Sequence, residues 1–139
     1  MNSSLFDPGA EKHVSLATYR RNGIEVKTPV WIAEVAGRYY VFSAGDAGKV
    51  KRIRASTRVR LAACDVRGNV RSSWIDANAR IVVDPALISE VRKALRAKYG
   101  LLMRLTDYIA AITGRLRRRA YIEIELSDPK SSMRSMAGN

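Results

Sequence analysis

The chain has 139 residues, 47% of them hydrophobic, and its 25 lysines and arginines against 13 acids give a formal charge of +12. Its one cysteine, Cys64, excludes an intrachain disulfide and a cysteine-built zinc or iron–sulfur centre, and no run approaches the roughly 18 apolar residues of a membrane span. The length suits one domain with a modest core. The charge calls for an anion: nucleic acid, a phosphorylated cofactor, an acidic metabolite or a lipid surface.

Residues 1–12 read as a lead-in with a turn at Asp7-Pro8-Gly9. They lack the apolar core of a signal peptide, which makes the cytoplasm the expected location. His13–Tyr19 is the first predicted strand, with Val14 and Leu16 on its buried side, and Asn22-Gly23 reverses the chain. Val26–Val35 is predicted as one strand. Within it Pro29 cannot donate a ladder hydrogen bond, so an edge, a bulge or a ligand is expected there.

After Ala36-Gly37 comes Arg38–Phe42, a third strand, and then the most distinctive segment of the chain, residues 43–54. Two glycines, Gly45 and Gly48, separate the strand from a helix expected over 47–55, in which Lys49, Lys51, Arg52 and Arg54 alternate with Val50 and Ile53. Such a junction can gather a helix N-terminus and several cations around an anionic group, or it can be a connector with a solvated basic face. Arg58–Cys64 alternates as a half-exposed strand, and Asp65–Asn69 reads as a hairpin turn. Val70–Val83 is predicted as one long bent strand, interrupted at Ser72-Ser73 and bulged at Ala77-Asn78.

Asp84 caps and Pro85 opens a helix whose apolar face is Leu87, Ile88, Val91 and Leu95, ending near Gly100. Leu101, Leu102, Leu105, Ile109 and Ile112 predict a second amphipathic face up to Thr113-Gly114. Arg119–Leu126 is the last strand, with apolar positions alternating against Glu123 and Glu125, and 127–139 reads as a loosely ordered tail. The domain proper therefore spans 13–126.

Catalytic signals are sparse. His13, the sole histidine, has no nucleophile turn beside it, and Cys64 reads as a packed small side chain. The aspartates are scattered in turn and cap contexts, so no metal site is expected. Trp31 and Trp74 could border a planar ligand or pack in the core. Arg115–Arg119 raises nucleic acid as a partner, but no motif organises it and a solvated face is equally consistent.

Taken in order, His13–Thr18, Lys27–Ala33, Tyr39–Ser43, Gly48–Arg54, Arg58–Ala62 and Ala79-Arg80 resemble the split-barrel proteins related to pyridoxamine 5'-phosphate oxidase. Within that group the resemblance is to the small oxidoreductases that use coenzyme F420, and it covers about residues 10–126. It implies a mainly β fold with peripheral helices, an FMN-binding-type split β-barrel, and a homodimer with cofactor sites at the subunit interface. It implies that Thr28, Pro29, Val30 and Trp31 line the ring of the cofactor, that Ser43 holds the end-of-strand hydroxyl position, and that Lys49 contacts a phosphate. Lys51, Arg52, Arg54 and Trp74 are the further candidates of the same pocket.

Where relatives often carry a glycine this chain has Ser73, which leaves the local backbone path open. The activity implied is hydride transfer from reduced F420 to a small electrophilic acceptor, with no protein residue assigned to catalysis. The alternatives are an FMN enzyme on the same scaffold, a cofactor carrier without turnover, and a basic nucleic-acid-binding module. A membrane partner is not expected.

Overall fold

The computed structural model describes residues 7–45, 47–115 and 118–127. A 3-10 turn, Pro8–Ala10, precedes strands β1 (Val14–Tyr19), β2 (Glu25–Val30), β3 (Ile32–Val35) and β4 (Arg38–Ala44). Helix α1 (Gly48–Ala55) leads to β5 (Arg58–Ala63) and β6 (Ile75–Ile81), and α2 (Pro85–Tyr99) and α3 (Leu101–Ile112) lead to β7 (Arg119–Leu126). The strands form one 7-stranded sheet in the order β2-β1-β5-β6-β7-β4-β3, and every adjacent pair is antiparallel. The sheet curls around its own inner face as a split β-barrel.

The split has a simple covalent origin. β2 and β3 are the two edges of the sheet, yet only Trp31 separates them in sequence. The continuous strand expected over Val26–Val35 is therefore cut at Trp31, and its halves pair with opposite ends of the sheet. Tertiary contacts make the cut: the Trp31 ring stacks on Tyr99 of α2 at 4.5 Å and 8°, and the Tyr99 hydroxyl accepts from the Ile32 amide at 2.9 Å. Pro29 sits on edge strand β2, where its missing N–H costs no ladder bond.

Strand alternation sorts the core into two parts. Inside the curl lie Val14, Leu16, Val30, Ile32, Val41, Val59, Leu61, Ile122 and Ile124, with Val50 and Ile53 of α1 packed against them. Those two residues are one helical turn apart, so α1 buries one narrow stripe and leaves Lys51 and Arg54 exposed. On the outer face α2 lays Val91, Leu95 and Tyr99 over Ala33, Tyr40, Val82 and Tyr121. The predicted cap holds: the Asp84 carboxylate accepts from the Ala86 amide at 3.0 Å with Pro85 in the first turn.

Three expectations are corrected. The strand expected over Val70–Val83 is regular only over Ile75–Ile81, and Val70 makes a lone bridge to Cys64. The Ser72 hydroxyl takes the Ala63 amide at 2.8 Å, substituting for a ladder partner, and pairing runs unbroken through Ala77 and Asn78 without a bulge. Glu123 is not on a solvated side of β7: it is buried, bonded to Tyr40 and paired with Arg38 at 2.8 Å and Arg80 at 3.0 Å.

The third correction concerns α3, which turns the expected apolar face outward. Met103, Asp107 and Ala110 are buried, whereas Leu101, Leu102, Leu105, Ile109 and Ile112 are exposed. The Asp107 carboxylate bridges Arg96 of α2 at 2.8 Å and Arg119 of β7 at 2.7 Å, and this buried ion pair fixes the rotation of the helix. Arg119 is accordingly a structural cation, stacked over Phe42 at 4.6 Å, not a member of a solvated arginine run. Leu116, Arg117 and the tail beyond Ser127 lie outside the described residues.

Candidate functional site

The chain leaves β4 at Ala44 and enters α1 through Gly45, where a Cβ would collide with the Arg118 carbonyl oxygen. Ala47 at the N-cap offers no side-chain acceptor to the first turn of α1. Gly48 follows, and its missing Cβ leaves room for Arg52, whose Nη1 lies 2.7 Å from where that carbon would be. The guanidinium folds back over the first turn and is pinned there by a 2.6 Å bond from Arg52 Nε to the hydroxyl of Thr18, buried on β1.

Lys49 stands beside it, half-buried. Burial and then the Arg52 charge both push the Lys49 ammonium pKa below its ordinary value. Arg52 is itself disfavoured as a cation by burial and by Arg20. Among the described residues neither Lys49 nor Arg52 has a carboxylate within ion-pair distance. Two cations that repel each other at a helix start without a side-chain cap, one of them also repelled by Arg20, are what a multiply charged oxyanion neutralises. The basic character continues along α1 to a cavity of about 410 Å³ lined by Arg20, Arg21, Arg58, Tyr19, Gly23 and Ser56, among others.

The structure brings together only part of the expected set. Lys49 and Arg52 form the cradle. Lys51 and Arg54 are exposed on the outer side of α1, and Ser43 is buried on β4 opposite Ala120. Alternation along β2 separates Thr28, opposite Leu16 and half-buried, from Pro29, which is exposed near Gly68. Val30 is in the inner core, while Trp31 lies under α2 with its edge toward Phe42 and its Nε1 donating to His13 Nε2 at 3.3 Å. Trp74 lies elsewhere again, against the Arg60 guanidinium at 4.8 Å and the Lys27 ammonium at 5.3 Å.

Thr18, Arg20 and Gly48 complete the cradle and escaped sequence reasoning as site residues. Thr18 carried a faint signal, a hydroxyl at an inward position of a strand, and Gly48 was visible only as a turn residue. The other reactive groups are engaged or muted. His13 already accepts from Trp31, and burial raises the pKa of the Cys64 thiol. Among the described residues no three histidine, cysteine or acidic side chains are grouped to hold a metal ion.

The chain matches no protein-family model and no curated protein. Solved structures share its fold. HutZ, the heme storage protein from Vibrio cholerae, superposes with a TM-score of 0.67 at 13% identity, over 87% of this chain and 85% of that one. A candidate pyridoxamine 5'-phosphate oxidase from Listeria innocua gives 0.58 at 10% identity, over 87% and 88%. An FAD-binding protein from Mesorhizobium loti gives 0.57 at 17% identity, over 86% and 82%. Likeness at these identities establishes the fold, an FMN-binding-type split β-barrel, and the similar proteins differ in the group each is named for.

Proposed function

We propose that this protein is an oxidoreductase that holds a phosphate-bearing deazaflavin, F420, with FMN as the alternative on the same scaffold. The observation that carries the reading is the cradle of Lys49, Arg52 and Thr18 at the start of α1, where two cations lack a carboxylate among the described residues. Phosphate would be held there by Lys49 and Arg52, with Thr18 fixing the Arg52 fork so that little rotamer freedom is lost on binding. Arg20, Arg21 and Arg58 around the neighbouring cavity extend the positive surface. That extension favours F420, whose acidic tail carries further anionic groups beyond its phosphate, over FMN.

When bound, such a cofactor supplies the hydride and the ring that accepts or gives it; the protein supplies orientation and exclusion of water. Thr28, on edge strand β2 and on the same face as Thr18, is the ring contact consistent with this geometry, with Pro29 on the opposite face. Trp31 acts behind Thr28 by fixing the point where the chain crosses the split. A homodimer that completes the ring site from a second copy belongs to the same proposal, as does a small electrophilic hydride acceptor.

Parallel titrations of cofactor-free protein with F420, FMN and heme, at fixed salt, test the reading. F420 is expected to bind most tightly. Lys49→Ala is expected to weaken that binding by about tenfold to a hundredfold, the worth of one charged hydrogen bond of roughly 1.5–3 kcal/mol, without lowering the melting temperature. Exclusive FMN binding would move the chemistry to flavin. Binding of heme alone, or of none of the three, would overturn the reading.

A further inference from the structure

Viewed down its axis at about 100° per residue, α3 presents Tyr108, Leu101, Ile112, Leu105, Ile109 and Leu102 as one unbroken stripe about 120° wide. All six are exposed, from 49% for Leu102 and Ile109 to 82% for Leu101. The opposite side, Met103, Asp107 and Ala110, is the side anchored to the protein. The stripe cannot rotate inward without breaking the pairs of Asp107 with Arg96 and Arg119. Six large apolar side chains on one helix make a patch on the order of several hundred Å², the size that marks an interaction surface.

The surroundings of the stripe select its partner. On the Tyr108 side lies a cleft of about 510 Å³ formed by Arg92, Arg96, Arg104, Asp107, Tyr108 and Ala111, and the Arg92 Nε within it is buried without a hydrogen-bond partner among the described residues. On the Leu102 side lie Lys12 and Lys98, but the Lys98 ammonium already donates to the Glu11 and Ile32 carbonyls and has Glu11, Asp7 and Glu34 nearby, so this rim is of mixed charge. Arg115 and Arg118, both exposed, follow the helix. The one acid on α3, Asp107, is already shared by two arginines. A second copy docking by this face would bring the same arginines to the interface twice, which argues against self-association.

An apolar stripe flanked by cations on its Tyr108 side and at its C-terminal end is complementary to an anionic bilayer surface. We infer that α3 docks this protein on anionic lipid membranes, with the Leu101–Ile112 stripe in the acyl boundary and Arg92 and Arg104 reaching headgroup phosphates. The association lies on the membrane, since no helix among the described residues is long and apolar enough to cross one. The sequence-based expectation of no membrane partner rested on span length, which says nothing about a surface helix. This inference stands on α3 and the residues around it and is independent of the cofactor assignment.

Co-sedimentation of the full chain with vesicles of phosphatidylcholine, with and without phosphatidylglycerol, tests it. The wild type is expected to bind the anionic vesicles at least tenfold better than the neutral ones, and less as salt rises. The double substitution L105S/I109S and, separately, Arg104→Glu are expected to lower anionic-vesicle binding at least tenfold at unchanged melting temperature, because all three side chains are exposed. Equal binding by wild type and variants, equal binding to both vesicles, or no binding would overturn the inference. So would concentration-dependent self-association that L105S/I109S abolishes and vesicles do not compete with, since the stripe would then belong to a second copy.

Discussion

Two cationic regions of the molecule differ in what surrounds them. At the outer face, Glu123 gathers Arg38 and Arg80, and Asp107 gathers Arg96 and Arg119; each buried acid takes two cations. At the start of α1, Lys49 and Arg52 lie together, with Arg20 acting on Arg52, and neither Lys49 nor Arg52 has a paired carboxylate among the described residues. The first arrangement is complete within the chain and locks strand to strand at Glu123 and helix to strand at Asp107. The second has no paired acid among the described residues, which is the place the proposed anion would take. Sequence composition counts both as the same excess of basic residues; only the placement of the acids distinguishes structural cations from available ones.

The largest effect that would sharpen this contrast comes from Asp107→Ala. It leaves Arg119 buried without its carboxylate and is expected to destabilise the fold by about 3–5 kcal/mol in urea unfolding. A loss well under 1 kcal/mol would show that the pair does not set the rotation of α3.

Acid should dissolve the same network. For both Asp107 and Glu123 burial works to raise the pKa, but the arginines bonded to each outweigh it and hold the carboxyl below its ordinary value, 3.8 and 4.5 respectively. A depressed folded pKa means that the unfolded chain binds protons first as pH falls. This stabilisation is therefore complete above those ordinary values and is lost as pH drops through them toward the lower folded values. Unfolding free energies measured at about pH 6 and about pH 3 should show the decline, and Asp107→Ala should flatten it.

The smallest expected effect has the opposite sign. Lys49→Met removes a like-charge neighbour of Arg52 three residues along α1, and should raise stability by about 0.2–0.5 kcal/mol. Inorganic pyrophosphate should raise the melting temperature of the wild type and not that of the variant. Destabilisation by Lys49→Met would break the comparison, because Lys49 would then be a structural cation like Arg119.

Much of the site was legible only as a segment. Gly48–Arg54 announced a basic helix after a strand, and Lys49 and Arg52 were both visible in it. Their partner Thr18, thirty-four residues from Arg52, was not, because nothing in a strand sequence says which distant side chain its hydroxyl will meet. Trp31 shows the converse. Its neighbours in sequence suggested a ligand-facing run, but the stack on Tyr99 placed it under α2.

Local periodicity determined the elements whose partners are generic: β1, β4, β5, α1, α2 and β7 follow alternation, turn chemistry and capping, which act within a few residues. Their order allowed a mostly antiparallel sheet, and the split-barrel fold class came from the resemblance of the ordered segments. Tertiary structure decided everything that depended on a specific distant partner. It cut one predicted strand at Trp31 to make the two edges of a barrel, and it turned the apolar stripe of α3 outward. The physical reason in the second case is that a buried charge must be paired, so the bond of Asp107 to Arg96 and Arg119 outranked the burial of five leucines and isoleucines that the sequence pattern alone would have placed inside.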